Sequence, residues 1–312
     1  MIVLWGIKQD GPLKAVYREL SDRAAETIWL DQFEFRQHEI EFSETNPTVG
    51  YLTTHSGRIE LSQVSAFYMR PYDSRRILKA AKADDPETEL KLQLFDDAVL
   101  TWADLTPALA INRPSAMHSN SSKPYQSSLI EAAGFDTPET LLTSDAAEAI
   151  NFLAKHPECI YKSIGGTRSK VAMIDHNVIN RLKNCACPLQ MQEYVAGTDV
   201  RVHVILGTER VFACSITSRA ADYRYPNSDS ESPCIEPIDL PHEIAHKCIS
   251  LSRELGLAFS GIDLRRSPTG DRWVCFEVNP SPGYTYYEQS AGLPITEALC
   301  DLLISGNTPV GL

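Results

Sequence analysis

The residues that could do chemistry in this sequence concentrate in a predicted β-hairpin over residues 258–278. Side chains alternate between the two faces of a strand, so Asp263 lies on one face of the first strand. The same alternation on the second strand predicts that Glu277 and Cys275 share a face and that Phe276 points to the other. The intervening turn brings Asp263 across from Glu277 to within one residue of register. The hairpin therefore predicts two carboxylates on one face of a sheet.

An amide oxygen joins these carboxylates, because Asn279 follows Glu277 at a spacing of two residues. Hard oxygen ligands in this number suit Mg²⁺, which takes few protein ligands and completes its shell with water and phosphate oxygens. An ordinary polar sheet face is the alternative, and the pattern alone leaves both readings open. We take Asp263, Glu277 and Asn279 as candidate metal ligands.

A basic, glycine-containing stretch follows another predicted strand, at residues 160–163. Lys162 stands at the end of that strand, and Gly165 and Gly166 begin a hydroxyl-rich loop that reaches Lys170. Flexible backbone N–H groups can cradle phosphate oxygens while a lysine supplies a point charge. The glycine spacing matches neither the phosphate-loop motif nor the dinucleotide fingerprint, and a plain hairpin turn is the alternative.

Three arginines have the chemistry to neutralise a phosphoryl group during its transfer. Arg201 lies on a predicted strand over residues 200–206, on the face away from a row of valines. Arg219 and Arg224 follow the next predicted strand. Solvated surface charge is the alternative for each of them.

Predicted strands and helices alternate along the segments that must position these residues, which favours an α/β (α+β) fold class. Residues 222–237, rich in Ser, Pro, Asp and Asn, are predicted to form a loop. The predicted strands cover residues 2–7, 28–30, 49–53, 58–61, 64–69, a short strand entered at 137–140, 160–163, 189–194, 200–206, 210–216 and the hairpin at 258–278. The predicted helices cover residues 13–24, 87–103, 122–133, 146–155, 242–255 and 294–304.

The charge balance restricts the partners of the protein. Its 312 residues include 41 acidic and 29 basic ones, a formal charge of −12. A nucleic-acid surface needs a dominant cationic field, so we expect no nucleic-acid partner. No apolar run reaches the ~18 residues of a membrane span, and the first strand lacks the basic residues of a secretion signal. We therefore expect a cytoplasmic protein, in which the eight cysteines stay reduced.

In order and spacing, several blocks of this sequence resemble the ATP-grasp superfamily, and within it the RimK-like ligases and the graspetide (microviridin-type) macrocyclases. The resemblance spans about residues 112–305. Upstream, Arg70-Pro71 after an aromatic pair resembles a segment of the macrocyclases' N-terminal domain. The blocks are Lys123-Pro124-Tyr125-Gln126, Pro138-Glu139-Thr140, Tyr161-Lys162, Gln192-Glu193-Tyr194-Val195, Asp199-Val200-Arg201, Gly261-Ile262-Asp263, Phe276-Glu277-Val278-Asn279-Pro280 and Gly292-Leu293-Pro294-Ile295.

The resemblance implies an ATP-grasp fold in three parts. These are an N-terminal α/β domain (residues 1–114), a central lobe (115–195) and a C-terminal lobe (196–312). It also implies ATP and Mg²⁺ as cofactors, with Asp263 and its two companion ligands holding the metal between the β- and γ-phosphates.

Roles for the remaining candidates follow from the same resemblance. Lys123 and Lys162 would contact the ATP phosphates, and the loop that begins at Gly165 and Gly166 would close over them. Arg201 and Arg219 would steady the γ-phosphoryl group and the acyl phosphate. Arg224, a third catalytic candidate, stands where the macrocyclases have a similar Asp–aromatic–Arg element. A hinge between the lobes would read the adenine through its backbone, with Glu193 accepting from the ribose hydroxyls or the adenine amine. That hinge consists of Gln192, Glu193, Tyr194 and Val195.

The implied activity is an ATP-dependent carboxylate–amine or carboxylate–hydroxyl ligase that acts through an acyl phosphate on a peptide or protein carboxylate. Ligation of amino acids or other small metabolites is one alternative, and a phosphotransferase or a catalytically silent nucleotide-binding protein is another. Pro282-Gly283 resembles the RimK-like ligases, whereas Glu288-Gln289 resembles the macrocyclases. The sequence therefore leaves open the identity of the substrate and the choice of an amine or a hydroxyl nucleophile. It is also compatible with a homodimer.

Overall fold

The computed structural model describes residues 1–83, 85–162, 172–174, 188–218 and 233–312. Within these ranges no helix is long and apolar enough to cross a membrane. The helices are α1 (Gly11–Asp22), α2 (Ser74–Ala80), α3 (Pro86–Leu105), α4 (Pro114–Met117), α5 (Lys123–Ala132), α6 (Ala146–Lys155), α7 (His242–Glu254), α8 (Thr285–Ala291) and α9 (Ile295–Ser305).

Strands in the described residues form four sheets. The strands are β1 (Ile2–Gly6), β2 (Thr27–Asp31), β3 (Glu39–Ser43), β4 (Asn46–Thr54), β5 (Gly57–Glu60), β6 (Ala66–Met69), β7 (Leu109–Ile111), β8 (Thr140–Thr143), β9 (Cys159–Lys162), β10 (Ala172–Met173), β11 (Leu189–Glu193), β12 (Thr198–Ile205), β13 (Arg210–Thr217), β14 (Cys234–Pro237), β15 (Phe259–Arg266) and β16 (Trp273–Asn279).

A parallel sheet with the strand order β2-β1-β6-β7 forms the N-terminal sheet. Its strands β1 and β6 are buried along their whole length, as expected for a parallel sheet that is covered on both faces. Asp10 begins α1 by accepting a hydrogen bond from the backbone N–H of Leu13 at 2.9 Å. A small antiparallel sheet, β3-β4-β5, is inserted between β2 and β6.

Two further sheets follow in the chain. The central sheet has the order β10-β9-β11-β8, and the C-terminal sheet has the order β14-β13-β12-β15-β16. On one face of the C-terminal sheet, apolar side chains of β12, β15 and β16 pack against α5 and α7 in a continuous core. Because the strands alternate, the other face is available for polar side chains.

Most predicted elements are confirmed, and the differences have physical reasons. Residues 234–237 form the edge strand β14 and not the predicted loop, because they pair with β13 and bury Ile235. The strands β3, β7 and β10 and the short helices α2, α4 and α8 have no predicted counterpart, since short elements contain too few residues to show a clear period. Residues 222–232 of the predicted loop lie outside the described residues.

Asn112 joins the N-terminal sheet to the C-terminal one. Its buried side-chain amide donates to the carbonyls of Phe259 and Pro280, both at 2.6 Å, and its oxygen accepts from the Phe259 N–H at 3.2 Å. A buried backbone group that loses its partner is destabilising, so this side chain fixes where β15 begins and β16 ends.

We expect Asn112→Ala to lower the free energy of unfolding by at least about 2 kcal/mol, because two buried carbonyls and one buried N–H lose their hydrogen bonds to the side chain. Urea unfolding followed by circular dichroism measures the change. Asn151→Ala, at an exposed position on α6, is the matched control and should stay within about 0.5 kcal/mol of the wild type. Equal unfolding midpoints for the two variants would contradict the role of Asn112.

Candidate active site

Four side chains stand side by side across the polar face of the C-terminal sheet. In the antiparallel ladders Arg201 on β12 lies opposite Asp263 on β15, which in turn lies opposite Glu277 on β16. On the other side Arg201 lies opposite Cys214 of β13. Directly paired residues point to the same face, so the predicted pairing of Asp263 with Glu277 is confirmed.

A β-bulge between Asp263 and Leu264 corrects the predicted alternation on β16. The partner of Asp263 is Glu277, but the partner of Leu264 is Cys275, so Phe276 is the extra residue. Such a bulge reverses the facing of the residues on one side of it. As a result Cys275 joins the apolar core with Leu264, whereas Phe276 lies beneath a guanidinium on the polar face.

The carboxylate of Glu277 is half-buried and has no hydrogen-bond or ion-pair partner among the described residues. Asn279, two residues further on, accepts a hydrogen bond from the Ser281 N–H at 2.8 Å. This contact turns the chain out of the sheet and fixes the amide oxygen close to the end of β16. Within the described part of the chain, Glu277 thus offers its carboxylate oxygens beside Asp263 without a competing partner.

Gln126 on α5 holds the strand that carries these ligands. β16 is the outermost strand on its side of the sheet, so the backbone of Val278 faces outwards. The Gln126 amide donates to the Val278 carbonyl at 2.8 Å and accepts from its N–H at 3.0 Å. The amide therefore replaces a neighbouring strand at this position. Sequence reasoning assigned Gln126 no role, although it stands in the block that starts at Lys123.

The guanidinium of Arg201 is buried and forms an ion pair with Asp263. It also lies 5.6 Å from the centre of the Tyr287 ring. Only glycine fits at position 261, because a Cβ there would collide with the Arg201 guanidinium and would lie 2.6 Å from Pro282. The space around Arg201 is therefore set by its neighbours.

His203, two residues further along β12, contacts the same guanidinium through its Nε. Its Nε2 accepts from the Arg201 Nε at 3.4 Å, and the ring packs among Phe259, Tyr284 and Tyr287. Complete burial, together with the positive charge of Arg201, lowers the pKa of His203 well below its usual 6.5. The imidazole is therefore neutral at pH 7 and can accept from Arg201.

Arg70 fixes the loop after β16 from the N-terminal sheet. Its Nη1 donates to the Ser281 hydroxyl at 3.0 Å and to the Pro282 carbonyl at 2.9 Å, and its Nε donates to Asp10 at 2.9 Å. The side chain of Arg70 is only 11% exposed, so these charged hydrogen bonds are shielded from water. Arg70 belongs to the aromatic–Arg–Pro segment noted in the sequence.

Residues 192–195, the predicted hinge, contact both the central sheet and the turn before β16. The buried Gln192 amide donates to Thr140 at 3.0 Å, within the central sheet. The carboxylate of Glu193 accepts from the Glu139 N–H at 3.2 Å and lies 3.9 Å from Arg272. Tyr194 is 43% exposed and Val195 is buried. Reading of adenine by these residues stays a prediction.

The remaining predicted residues divide into two groups. Lys123 is the first residue of α5, and the backbone of Lys162 ends β9 in the central sheet, opposite Gln190. Gly165, Gly166, Arg219 and Arg224 lie outside the described residues. The structure thus brings together Arg201, Asp263, Glu277 and Asn279, and the contacts of the others with a nucleotide stay predictions.

Comparison with known families supports the assignment of the fold. The RimK-like ATP-grasp domain matches residues 120–303, more than half of the chain. The chain belongs to the RimK-like ATP-grasp family. The predicted family and the predicted α/β ATP-grasp fold are thereby confirmed, and the matched segment contains the whole row from Arg201 to Glu277.

Individual members of the family resemble this chain over long segments. A probable alpha-L-glutamate ligase of Parasynechococcus marenigrum (strain WH8102) is 24% identical over 255 residues, which are 75% of this chain and 53% of that ligase. The chain thus spans about half the length of that relative. The ATP-grasp ligase PsnB, solved with a minimal precursor, Mg and ADP, is 27% identical with a TM-score of 0.78, covering 98% of this chain and 96% of PsnB. The macrocyclase MdnC of Microcystis aeruginosa MRC, solved with its precursor peptide MdnA, is 18% identical with a TM-score of 0.78, covering 97% and 98% of the two chains.

The neutral state of His203 predicts how stability depends on pH. The folded-state pKa of His203 is below its unfolded value, so below about pH 6.5 the unfolded chain binds a proton that the folded chain does not. Its contribution to stability is complete above pH 6.5 and is lost as the pH falls. We expect His203→Gln to reduce the slope of unfolding free energy against pH between pH 6 and 5 by up to about 1.4 kcal/mol per pH unit.

Urea unfolding at several pH values measures this slope in each protein. The matched control is His242→Gln, at the exposed first residue of α7, and we expect it to keep the wild-type slope. A slope that His203→Gln leaves unchanged would show that the imidazole is charged in the folded protein.

Proposed function

We propose that this protein is an ATP-dependent ligase that joins a carboxylate to an amine or hydroxyl group through an acyl phosphate, and that the carboxylate belongs to a peptide or protein. The observation that carries the proposal is the row of Arg201, Asp263 and Glu277 on one sheet face, within the segment that matches the RimK-like domain. A cation beside two carboxylates suits chemistry on phosphates, in which positioning and electrostatics do the work.

The donor set at the end of the C-terminal sheet fits Mg²⁺. Asp263, Glu277 and Asn279 offer two carboxylates and an amide oxygen on neighbouring strands, and the Glu277 carboxylate has no other partner within the described ranges. The described residues contain no group of three His, Cys, Asp or Glu side chains that could bind a metal ion. Mg²⁺ does not need such a cage, because it commonly binds one or two carboxylates and the phosphates of its substrate. Bound there, it would neutralise charge on the β- and γ-phosphates.

The reaction needs no covalent bond to the protein. A carboxylate oxygen of the substrate attacks the γ-phosphorus of ATP, and the bond from that phosphorus to ADP breaks. An amine or hydroxyl then attacks the acyl carbon, loses its proton and expels phosphate. In this scheme Arg201 steadies the transferring phosphoryl group, and Lys123 and Lys162 hold the ATP phosphates. Arg219 and Arg224 have the same proposed task as Arg201.

Positions around the site support these tasks. His203 stays neutral and accepts from Arg201, so it does not add a second positive charge to the site. Gln126 and Arg70 hold the end of β16 and the loop after it, respectively. Pre-arranged groups of this kind reduce the reorganisation that the reaction requires.

The peptide nature of the substrate is supported by the names of the related structures. PsnB was solved with a minimal precursor and MdnC with a precursor peptide, whereas the relative from Parasynechococcus marenigrum is named a probable alpha-L-glutamate ligase. The two groups suggest different products, a cross-linked peptide in the first case and an added glutamate in the second. In the proposed scheme either product would arise through an acyl phosphate of a peptide carboxylate.

Hydroxylamine trapping tests the reaction class. We expect incubation with MgATP, hydroxylamine and a peptide rich in glutamate side chains to yield a hydroxamate and ADP, because hydroxylamine intercepts the acyl phosphate. Colorimetric hydroxamate detection and an ADP assay give the two yields. A phosphorylated peptide without hydroxamate would identify a phosphotransferase, and nucleotide binding without ADP release would identify a silent binding protein.

The variant Glu277→Gln tests the proposed metal ligand in the same assay. Loss of the carboxylate should reduce the hydroxamate yield at least about a hundredfold, since a charged oxygen donor to the metal is replaced by a neutral one. Glu297→Gln, at an exposed position on α9, should keep the wild-type yield. Full turnover by Glu277→Gln would refute the metal assignment.

Mass spectrometry distinguishes the two products. We expect a peptide with paired carboxylate and amine or hydroxyl side chains to lose one water for each bond formed, which marks cross-linking. A gain of one glutamate residue in the presence of free glutamate would favour the tailing reaction instead. Omission of ATP is the control, and neither mass change should then occur.

A further inference from the structure

Arg265 connects the hinge to the C-terminal sheet. Its Nε and Nη2 lie 2.8 and 2.6 Å from the same carboxylate oxygen of Asp199, on the neighbouring strand β12. Its Nη1 donates to the carbonyl of Val195 at 2.7 Å. One planar guanidinium thus binds a side chain of the sheet and the backbone of the hinge simultaneously, which a lysine ammonium could not do with this fixed geometry.

Two aromatic rings flank the same guanidinium. The centre of the Tyr194 ring lies 5.8 Å from the guanidinium carbon and that of Phe276 lies 5.1 Å from it. Both distances are in the range of cation–π attraction. Tyr194 belongs to the hinge and Phe276 to the strand of the candidate metal ligands, so Arg265 contacts both. Its side chain is only 17% exposed, and the hydrogen bonds are correspondingly shielded from water.

The hinge backbone is anchored on its opposite side by the central sheet. The N–H of Glu193 donates to the Glu139 carbonyl and the N–H of Tyr194 to the Glu158 carbonyl, both at 2.9 Å. Gly197, which follows the hinge and precedes β12, has a φ of +147° and lies against β15. A Cβ at this position would collide with the Arg266 carbonyl. The central sheet thus holds the start of this segment, and Arg265 holds its end.

We propose that Arg265 is a positioning residue that fixes the hinge backbone against the C-terminal sheet and thereby sets the affinity for a nucleotide. This inference rests on the proposed function, in which the hinge reads the adenine while the C-terminal sheet binds the phosphates. A nucleotide that spans both elements binds well only when their separation is fixed beforehand, because ordering them at the moment of binding weakens the affinity. Arg265 bridges this separation by binding the hinge backbone at Val195 and the sheet at Asp199.

Arg265→Met tests the proposal, because it keeps an unbranched apolar side chain and removes every hydrogen bond of the guanidinium. We expect the Kd for MgADP, measured by isothermal titration calorimetry, to rise at least about tenfold. The KM for ATP should rise in parallel while kcat changes by less than about threefold, since the residue contacts neither the phosphates nor the ligands of the metal. Arg265→Lys keeps the charge and reaches one acceptor, so its Kd should fall between the two.

Arg266→Met is the matched control. The adjacent Arg266 is exposed, and its guanidinium lies 6.0 Å from the centre of the Trp273 ring, away from the hinge. It should bind MgADP within about twofold of the wild type. Binding of MgADP by both Arg265 variants with the wild-type Kd would overturn the proposal and leave the proposed function intact. Failure of the wild type itself to bind MgADP would instead overturn the proposed function.

Discussion

The register of three neighbouring antiparallel strands is the constraint on which the site depends. β12, β15 and β16 must pair so that Arg201, Asp263 and Glu277 stand in one line. A slip of a single residue in either pairing would turn the affected strand over and exchange its charged side chains for apolar ones. The apolar core on the opposite face makes such a slip unfavourable, because it would bury charge and expose valine, isoleucine and leucine together.

Side chains from outside the C-terminal sheet fix the position of β16 and of the loop that follows it. Gln126 binds the outer edge of β16, and Asn112 and Arg70 bind the chain immediately after it. All three are largely buried and bind backbone atoms, so they restrict position without occupying the polar face. The N-terminal sheet thus contributes to the site as a support for the loop that follows the candidate metal ligands.

The sequence predicted those parts of the site that depend on the alternation of side chains along single strands. Alternation on β12 predicted the facing of Arg201, and the length of one turn predicted the pairing of Asp263 with Glu277. The bulge that buries Cys275 was missed, because nothing in the alternation marks one extra residue. The contact between Gln126 and the backbone of Val278 was also missed. The two residues are 152 positions apart, and a single sequence contains no signal for such a contact.

Closure of the outer edge of β16 has a consequence for how a peptide can approach. The Val278 N–H and carbonyl are bound by Gln126, and the Cys275 N–H donates to the Asp136 carbonyl at 2.8 Å. An exposed strand edge ordinarily offers such groups to any extended chain, which can then dock as an additional strand. Here those groups are already hydrogen-bonded at Cys275 and at Val278. An extended polypeptide therefore finds no continuous ladder to join beside the candidate metal ligands.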